Sequence, residues 1–268
     1  MSFTSDLRGY TVIDKTNAHQ AIKMAEGRSG YTRRPYETHP FGGVGYAKPF
    51  ALPVIPRSEW PERIKDLEAQ KARLSDMIRY QEIPCLDQDQ TNYCWCNGVI
   101  HAVIFARMLA GLPYVSLSPA SVAAKIKNYK NVGGWGGEAI QGIQKFGIGT
   151  TDLWPANAID PRYDTAELRE TAKLYNIIEF DEITPNSFDE VMTCLLLGFP
   201  VPIGHGWWGH LVCHVDPIMR GRDSFGTRFR NSWGEKWEDA GFGLMDEEKA
   251  TPDEANVVRI VTATAKAA

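Results

Sequence analysis

The chain has 268 residues, of which 43% are hydrophobic and 23% are charged, as is ordinary for a soluble globular protein with a substantial core. Its formal net charge of -4 and its pI near 5.9 provide no basic field for nucleic acid or an anionic membrane. No segment approaches the roughly 20 apolar residues of a membrane span, and the start, MSFTSDLRGY, has no apolar signal-peptide core. Five cysteines without regular spacing indicate reduced thiols, so we expect a cytoplasmic protein.

An amino-terminal arm is predicted over residues 1–57, which are rich in glycine, proline, tyrosine and charge, as in RSGYTRRPYETHPFGGVGYAKPF. Few of its apolar residues recur at the spacing of a helix or a strand, which predicts an extended segment with little structure of its own. Such an arm could wrap the domain, cover a cleft, bind a protein partner or mediate self-assembly. The sequence leaves these alternatives open.

Residues 58–82 predict an amphipathic helix followed by a linker. Pro61 suits the first turn of a helix, where a missing N–H costs nothing. Apolar residues then recur on one side, which indicates packing on the protein's own domain or on a partner. These apolar residues are Ile64, Leu67, Leu74 and Ile78.

The remainder, residues 83–268, predicts an α+β domain whose helices precede its strands. The stretch from Trp95 to Leu109 is apolar on nearly every side, which is typical of a buried helix. After Gly198 the chain consists of short apolar runs separated by glycines, which predicts antiparallel strands. We therefore expect a helical lobe over about 83–185 and a β lobe over about 186–268. Shorter helices are predicted at 119–130, 137–146, 165–175 and 187–197.

Two cysteines flank one tryptophan in QTNYCWCNG, residues 90–98. A structural zinc site needs four Cys or His ligands, usually as two close pairs, and no second pair follows, so we expect no metal and no other cofactor. A disulfide between Cys94 and Cys96 would be strained at the start of a buried helix. A reactive thiol fits better, because unpaired N–H groups at the amino end of that helix lower the pKa of a thiol at its first residue. Cys94 is therefore the candidate nucleophile.

Attack by a thiol on an amide carbonyl also requires a base and a group that orients the base. The second half of the chain offers three histidines close together in sequence, His205, His210 and His214, and an asparagine, Asn231, in the segment NSWG. In a strand, residues 210 and 214 point to the same face, so the period alone does not decide between them.

These segments together resemble the papain-like cysteine peptidases, in particular the compact type found in bacteria and their viruses. Gln88 stands six places before Cys94, and Trp95 follows that cysteine, as in the family. The segment GHLVCHVDP resembles the strand of the family's catalytic histidine, and NSWGEKWEDAGFG is similar to the block of its asparagine. The likeness covers about residues 83–262. It implies a two-lobed α+β fold, with a helical lobe, an antiparallel β-barrel-like lobe and a cleft between them.

The resemblance also implies roles for single residues. Gln88 and the N–H of Cys94 would form the oxyanion hole. His210 would be the base, and Asn231 would orient it. Trp95 and Trp233 would support the site, the latter by shielding the hydrogen bond of the base. The implied substrate-binding residues are Gly133, Gly134, Trp135, Trp208, Gly209 and Trp237. Of the other histidines, His101 and His214 are expected in the core, and His205 near the rim of the cleft.

The leading hypothesis is a cysteine peptidase that hydrolyses peptide or isopeptide bonds through a thioester on Cys94, with His210 as general base and acid. Its partner is a polypeptide substrate, and neither nucleic acid nor a membrane is expected. The alternative is a structural or scaffolding protein that keeps the fold within a larger assembly, such as a viral particle. Transfer of the acyl group to an amine instead of water is a third possibility.

Overall fold

The structure is a computed structural model that describes residues 11–42, 48–221 and 223–262. Helices dominate its first part and strands its second, as the sequence predicts. The helices are α1 (Ala18–Met24), α2 (Trp60–Ala69), α3 (Leu74–Tyr80), α4 (Cys94–Leu109), α5 (Ala120–Ile126), α6 (Gly136–Phe146), α7 (Ala166–Ala172), α8 (Phe188–Leu196) and α9 (Glu247–Ala250). The strands are β1 (Val12–Ile13), β2 (Lys48–Pro49), β3 (Ile177–Ile183), β4 (Val201–His205), β5 (His210–Gly221), β6 (Ser224–Arg230), β7 (Phe242–Asp246) and β8 (Glu254–Val261). Among the described residues, no helix is both long and apolar enough to span a membrane.

The strands of the described residues form one sheet in the order β1-β7-β6-β5-β4-β8-β3-β2. Its interior pairs are antiparallel, as predicted, whereas both edge strands pair in parallel. The sheet is open, which corrects the barrel-like lobe implied by the resemblance. It also begins before the predicted lobe boundary at residue 186, because β3 pairs with β8. The run IIEFDEI that forms β3 was not recognised as a strand.

The arm has more structure than the sequence predicts. Its residues form α1 and both edge strands, so the arm runs from one edge of the sheet to the other. Ala18 and Ala21 of helix α1, and Ala25 directly after it, are buried in a core cluster that also contains Trp208. These alanines recur at helical spacing, but small side chains give a weak apolar signal. The spacing of large apolar residues therefore did not predict helix α1.

The amphipathic segment forms two helices, α2 and α3, instead of the single helix that was predicted. Helix α2 ends at Ala69, and Lys71 then adopts a left-handed φ of 51°, a conformation that interrupts a helix. Ile64, Leu74 and Ile78 are each at most 2% exposed. Their apolar stripe is thus buried within the protein and does not face a partner.

Helix α4 is the centre of the larger core cluster. Nearly all of its residues are buried, as its apolar sequence predicts. It lies against the sheet closely enough that a Cβ on Gly98 would come within 2.4 Å of the Leu211 side chain in β5. The amino end of α4 is therefore held beside the beginning of β5, where His210 lies.

Candidate active site

Cys94 is the first residue of α4 and is fully buried. No side chain caps this helix end, so the thiol lies among backbone N–H groups that have no partner within the helix. Cys96 points away from this end, and its thiol donates to the carbonyl oxygen of Pro119 at 3.4 Å. The two cysteines of the motif thus have different surroundings, and neither is in a disulfide.

His210 and Asn231 are joined by a hydrogen bond of 2.7 Å between Nε2 of the ring and Oδ1 of the amide. His210 begins β5, and Asn231 follows β6, the antiparallel neighbour of β5. The backbone N–H of Ser232 donates to the same Oδ1 at 2.8 Å, which fixes the orientation of the amide. The indole of Trp233 lies with its centroid 4.9 Å from the imidazole. The other ring nitrogen, Nδ1, is buried and has no hydrogen-bond partner among the described residues.

Gln88 is held from both ends of its side-chain amide. Its Oε1 accepts a hydrogen bond from the Ser232 hydroxyl at 2.7 Å, and its Nε2 donates to the Thr91 carbonyl at 2.7 Å. The same Nε2 donates to the carbonyl of Arg28 in the arm at 2.9 Å. Since Ser232 follows Asn231, one short segment positions both Gln88 and the partner of the imidazole.

The other two histidines of the second half bond to each other. His205 and His214 are fully buried, and their Nε2 atoms lie 3.0 Å apart. Nδ1 of His214 is also 2.7 Å from the hydroxyl of Thr227. The expectation that His205 lies near the cleft rim is therefore wrong, because it pairs with His214 inside the sheet. His101 lies in the core, where its Nε2 accepts the backbone N–H of Leu86 at 3.2 Å.

The groove between Gly134 and His210 is filled by the arm. The N–H of Gly30 donates to the Cys94 sulfur at 3.3 Å. On one side, the N–H of Gly134 donates to the Gly30 carbonyl and the N–H of Thr32 donates to the Gly134 carbonyl, both at 2.9 Å. On the other side, the N–H of Tyr31 donates to the Gly209 carbonyl at 3.0 Å. The arm thus bridges both walls of the cleft through its backbone.

The predicted glycine pair permits this close approach. A Cβ on Gly133 would lie 2.5 Å from the Gly30 carbonyl oxygen, and one on Gly134 would lie 2.7 Å from the Trp95 ring. Trp135, the next residue, is 6% exposed, and the ring of His39 from the arm lies 5.1 Å from it. A peptide backbone can therefore reach this wall of the cleft because Gly133 and Gly134 have no side chains.

The tryptophans at the opposite end of the groove lie beneath α1. Trp208 is 3% exposed, and its indole N–H donates to the Ala21 carbonyl at 2.8 Å. Trp237 is half-buried beside Trp233, with ring centroids 5.5 Å apart. These aromatic side chains border the groove without filling it, and in this conformation the arm covers Trp208.

Burial sets the protonation of the thiol and the imidazole in this closed conformation. It raises the pKa of Cys94 to about 11, although N–H groups of Leu211, Gly30, Trp95 and Tyr31 act in the opposite direction. It lowers the pKa of His210 to about 4, although the hydrogen bond that the ring donates to Asn231 acts in the opposite direction. Both groups are therefore neutral near pH 7 while the arm is in place.

We expect the free energy of unfolding to fall between pH 7 and pH 5. Burial lowers the pKa of several histidines, so below about 6.5 the unfolded chain binds protons that the folded chain does not. For His210, the change from 6.5 to about 4 corresponds to about 3 kcal/mol once the pH is below 4. Glu254 and Asp216 have raised pKa values, so the folded chain binds more protons at these two groups than the unfolded chain does. Their contribution to the free energy of unfolding therefore rises as the pH falls. The histidines with lowered pKa are His101, His205, His210 and His214.

Urea denaturation at pH 7 and pH 5 measures this dependence. The expected result is a lower free energy of unfolding at pH 5, with net proton uptake on unfolding. A stability that is equal or greater at pH 5 would contradict the assignment of these histidines as buried and neutral.

Comparisons with known proteins define the class of fold. The sequence matches no protein-family model. Xylellain, a cysteine protease from Xylella fastidiosa, is 19% identical, with a TM-score of 0.56 over 66% of this chain and 82% of xylellain. Digestive procathepsin L 3 from Tenebrio molitor is 14% identical, with a TM-score of 0.63 over 94% of this chain and 83% of the procathepsin. A recombinant stem bromelain precursor is 14% identical, with a TM-score of 0.61 over 93% of this chain and 83% of the precursor.

The chain therefore has the papain-like fold, which confirms the predicted fold class. At these identities the likeness defines the architecture, and the activity has to be argued from the site. Within the part of the chain that the structure describes, no cluster of three or more His, Cys, Asp or Glu residues is suited to a metal ion.

The sequence did not single out the arm residues that enter the cleft, or Glu254 beneath them. Arg28, Gly30 and Tyr31 contact the site, and Arg34 binds the buried carboxylate of Glu182 at 2.7 Å. The available signal was Gly30 in the segment SGYTRR, because a glycine permits close approach of another backbone. Nothing in the arm indicated which surface it would approach.

Proposed function

We propose that the chain is a cysteine peptidase whose cleft is held closed by residues 28–34 of its own arm. The observation that carries this proposal is the occupied site itself. Backbone groups of one peptide segment contact the Cys94 sulfur and the Gln88 amide at 3.3 and 2.9 Å, beside a His210–Asn231 pair. A site that binds a polypeptide backbone at a thiol, next to an oriented imidazole, has the parts that amide cleavage requires.

Departure of the arm would allow the thiol to ionise. Water and the exposed helix end would then stabilise the thiolate, because the burial that raises the pKa of Cys94 would be relieved. The proton would pass to Nδ1 of His210, the ring nitrogen that has no partner in the described structure. Asn231 would hold Nε2 and keep the ring in place through this transfer.

Attack by the Cys94 sulfur on a substrate carbonyl carbon forms the C–S bond and moves the carbonyl electron pair to oxygen. The Gln88 Nε2 and the backbone N–H of Cys94 would donate to this oxyanion. Collapse breaks the C–N bond, and His210 gives its proton to the leaving amine. Water, deprotonated by the same ring, then attacks the thioester, which releases the carboxylic acid and restores the thiol.

The arm occupies this site in the manner of an inhibitor. The peptide bond that contacts the sulfur is Ser29–Gly30, through its N–H, whereas the carbonyl at Gln88 belongs to Arg28. Within residues 28–34, no single peptide bond is therefore engaged by both groups, as attack requires. Two of the similar solved structures are a procathepsin and a bromelain precursor, and their alignments cover 94% and 93% of this chain, so they extend into the arm. This supports a latent form.

Replacement of the two neighbouring cysteines tests which sulfur reacts. In a chain whose arm has been displaced by Gly30→Ala, Cys94→Ala should lower peptide hydrolysis by about 10³-fold or more, the scale seen when a nucleophile is removed. Cys96→Ala is the matched control, because that thiol faces Pro119 in the core. Hydrolysis of a fluorogenic peptide measures both. Retained turnover in Cys94→Ala would contradict the proposal.

The second candidate, a structural role within an assembly, is favoured by one observation. The arm supplies both edge strands of the sheet, so it is part of the fold as well as an occupant of the cleft. On this reading the arm stays in place permanently. The two functions differ in one measurable respect, since a permanently closed chain shows no thiol reactivity at Cys94 under any native condition.

A further inference from the structure

The side chain of Tyr31 fills a pocket built by three neighbouring strands. Gly204 in β4 pairs with Leu211 in β5 and with Glu254 in β8, so the three positions share one face of the sheet. A Cβ on Gly204 would lie 2.2 Å from the Tyr31 ring. The missing side chain at the central position therefore creates the space, and the ring occupies it.

Glu254 provides a buried charge at this pocket. The residue is 1% exposed, and its carboxylate accepts the N–H groups of Gly136 and Gly137 at 3.0 and 2.8 Å. Among the described residues, no cation lies within ion-pair distance of it. The nearby guanidinium of Arg34 is paired with Glu182 instead. Burial accordingly raises the pKa of Glu254 to about 7, since a buried carboxylate without a cation is unfavourable.

Tyr31 fits the volume of the pocket but not its chemistry. Its hydroxyl is buried and has no hydrogen-bond partner in the described part of the chain. The phenol carries no positive charge that could pair with Glu254. Burial raises the pKa of Tyr31, and the negative charge of Glu254 raises it further. An unpaired buried hydroxyl is unfavourable, because the hydrogen bonds that it loses to water are not replaced. Such an occupant excludes water and can still be displaced by a better-matched side chain.

We infer that the opened pocket takes a long substrate side chain that ends in a cation, lysine or arginine, and that Glu254 determines this specificity. The inference rests on the proposed function and names its substrate class. An aliphatic stem would lie beside Leu211 in the space that the ring vacates, and the charged end would donate to the carboxylate. The carboxylate has about four acceptor positions, of which the two glycine N–H groups use two.

The pocket adjoins Gly134, whose backbone groups bond to the residues on either side of Tyr31. The family resemblance implies that the next residue, Trp135, lies beside the pocket for the substrate residue two before the scissile bond. The test uses the full chain carrying Gly30→Ala and fluorogenic peptides that differ only at that residue, as lysine, arginine, phenylalanine or norleucine. Norleucine is the neutral control for the stem of lysine. We expect kcat/KM for lysine and arginine to exceed that for norleucine by about tenfold or more.

Replacement of the charge by Glu254→Gln should bring the ratio of lysine to norleucine close to about one. Each ratio is measured on one preparation, so a change in the folded fraction cancels. A norleucine or phenylalanine peptide that is cleaved as well as the lysine peptide would overturn the inference. A lysine to norleucine ratio that Glu254→Gln leaves unchanged would overturn it as well.

Binding measurements separate this inference from the proposed function. The double variant Gly30→Ala, Cys94→Ala binds the same peptides without chemistry, and isothermal titration gives their affinities. A lysine preference in binding, with no hydrolysis by the Gly30→Ala chain, would support the pocket assignment and contradict the peptidase. Hydrolysis without any charge preference would contradict the pocket assignment alone.

Discussion

Gly30→Ala should raise the rate of Cys94 alkylation at pH 7 by about 5- to 150-fold, because over-packing of a rigid site costs about 1–3 kcal/mol. The added Cβ would lie 1.9 Å from the carbonyl oxygen of Asn92 and 2.4 Å from its carbonyl carbon. These are backbone atoms at the entry to α4, so they cannot rotate away as a side chain could. The arm has to leave the sulfur, and the thiol becomes accessible and more acidic.

Site-resolved labelling distinguishes this opening from unfolding. Iodoacetamide followed by peptide mass spectrometry reports each cysteine, and Cys194 and Cys213 are both buried in the core. Of Cys94, Cys194 and Cys213, opening of the arm exposes Cys94 alone to the reagent, whereas global unfolding exposes all three. Ser29→Ala is the matched control, because it changes the neighbouring exposed residue and adds no atoms. Equal rates for Gly30→Ala and Ser29→Ala would contradict closure by the arm.

The elements that the sequence predicted best are those whose own residues specify them. Helix α4 is apolar on every side and is buried, so its presence followed from composition alone. Cys94 followed from its place at the start of that helix. The antiparallel run from β4 to β8 followed from short apolar segments separated by glycines. In each case local pattern and tertiary environment agree.

Features that depend on contacts between distant segments could not be read in this way. His205 and His214 looked like alternatives to His210, and only the contact between their Nε2 atoms at 3.0 Å shows that they bond to each other. The arm shows the same limit. Its glycines and charges resemble those of an exposed segment, and the thiol and side-chain amide that it contacts belong to residues 64 and 60 positions away.

The closed conformation keeps the proposed catalytic pair, Cys94 and His210, in an unreactive protonation state. With the arm in place, burial favours the neutral thiol of Cys94 and the neutral imidazole of His210. Both shifts have the same origin, so a single event, entry of water, would reverse both. The strength with which the arm is anchored therefore sets the fraction of molecules that carry an ionised thiol.

Arg34 anchors the arm through a buried ion pair, so we expect Arg34→Ala to open the cleft more than Gly30→Ala does. Its guanidinium and the Glu182 carboxylate are both 1% exposed and lie 2.7 Å apart. It also donates to the carbonyls of His39 and Pro40 at 2.8 and 2.6 Å. Removing one partner of a buried ion pair costs about 3–5 kcal/mol, because the remaining charge is left without compensation. Departure of the arm would rehydrate Glu182 and relieve that cost.

The neighbouring arginine provides the control. Arg33 lies 3.3 Å from Asp253, but its side chain is 69% exposed, and exposed pairs contribute little because water screens them. Arg33→Ala and Arg34→Ala remove the same charge from adjacent positions, so they differ only in burial and partner. The alkylation rate of Cys94 should rise by about a hundredfold or more in Arg34→Ala and change little in Arg33→Ala. Similar rates in the two variants would show that net charge, and not the buried pair, holds the arm over the thiol.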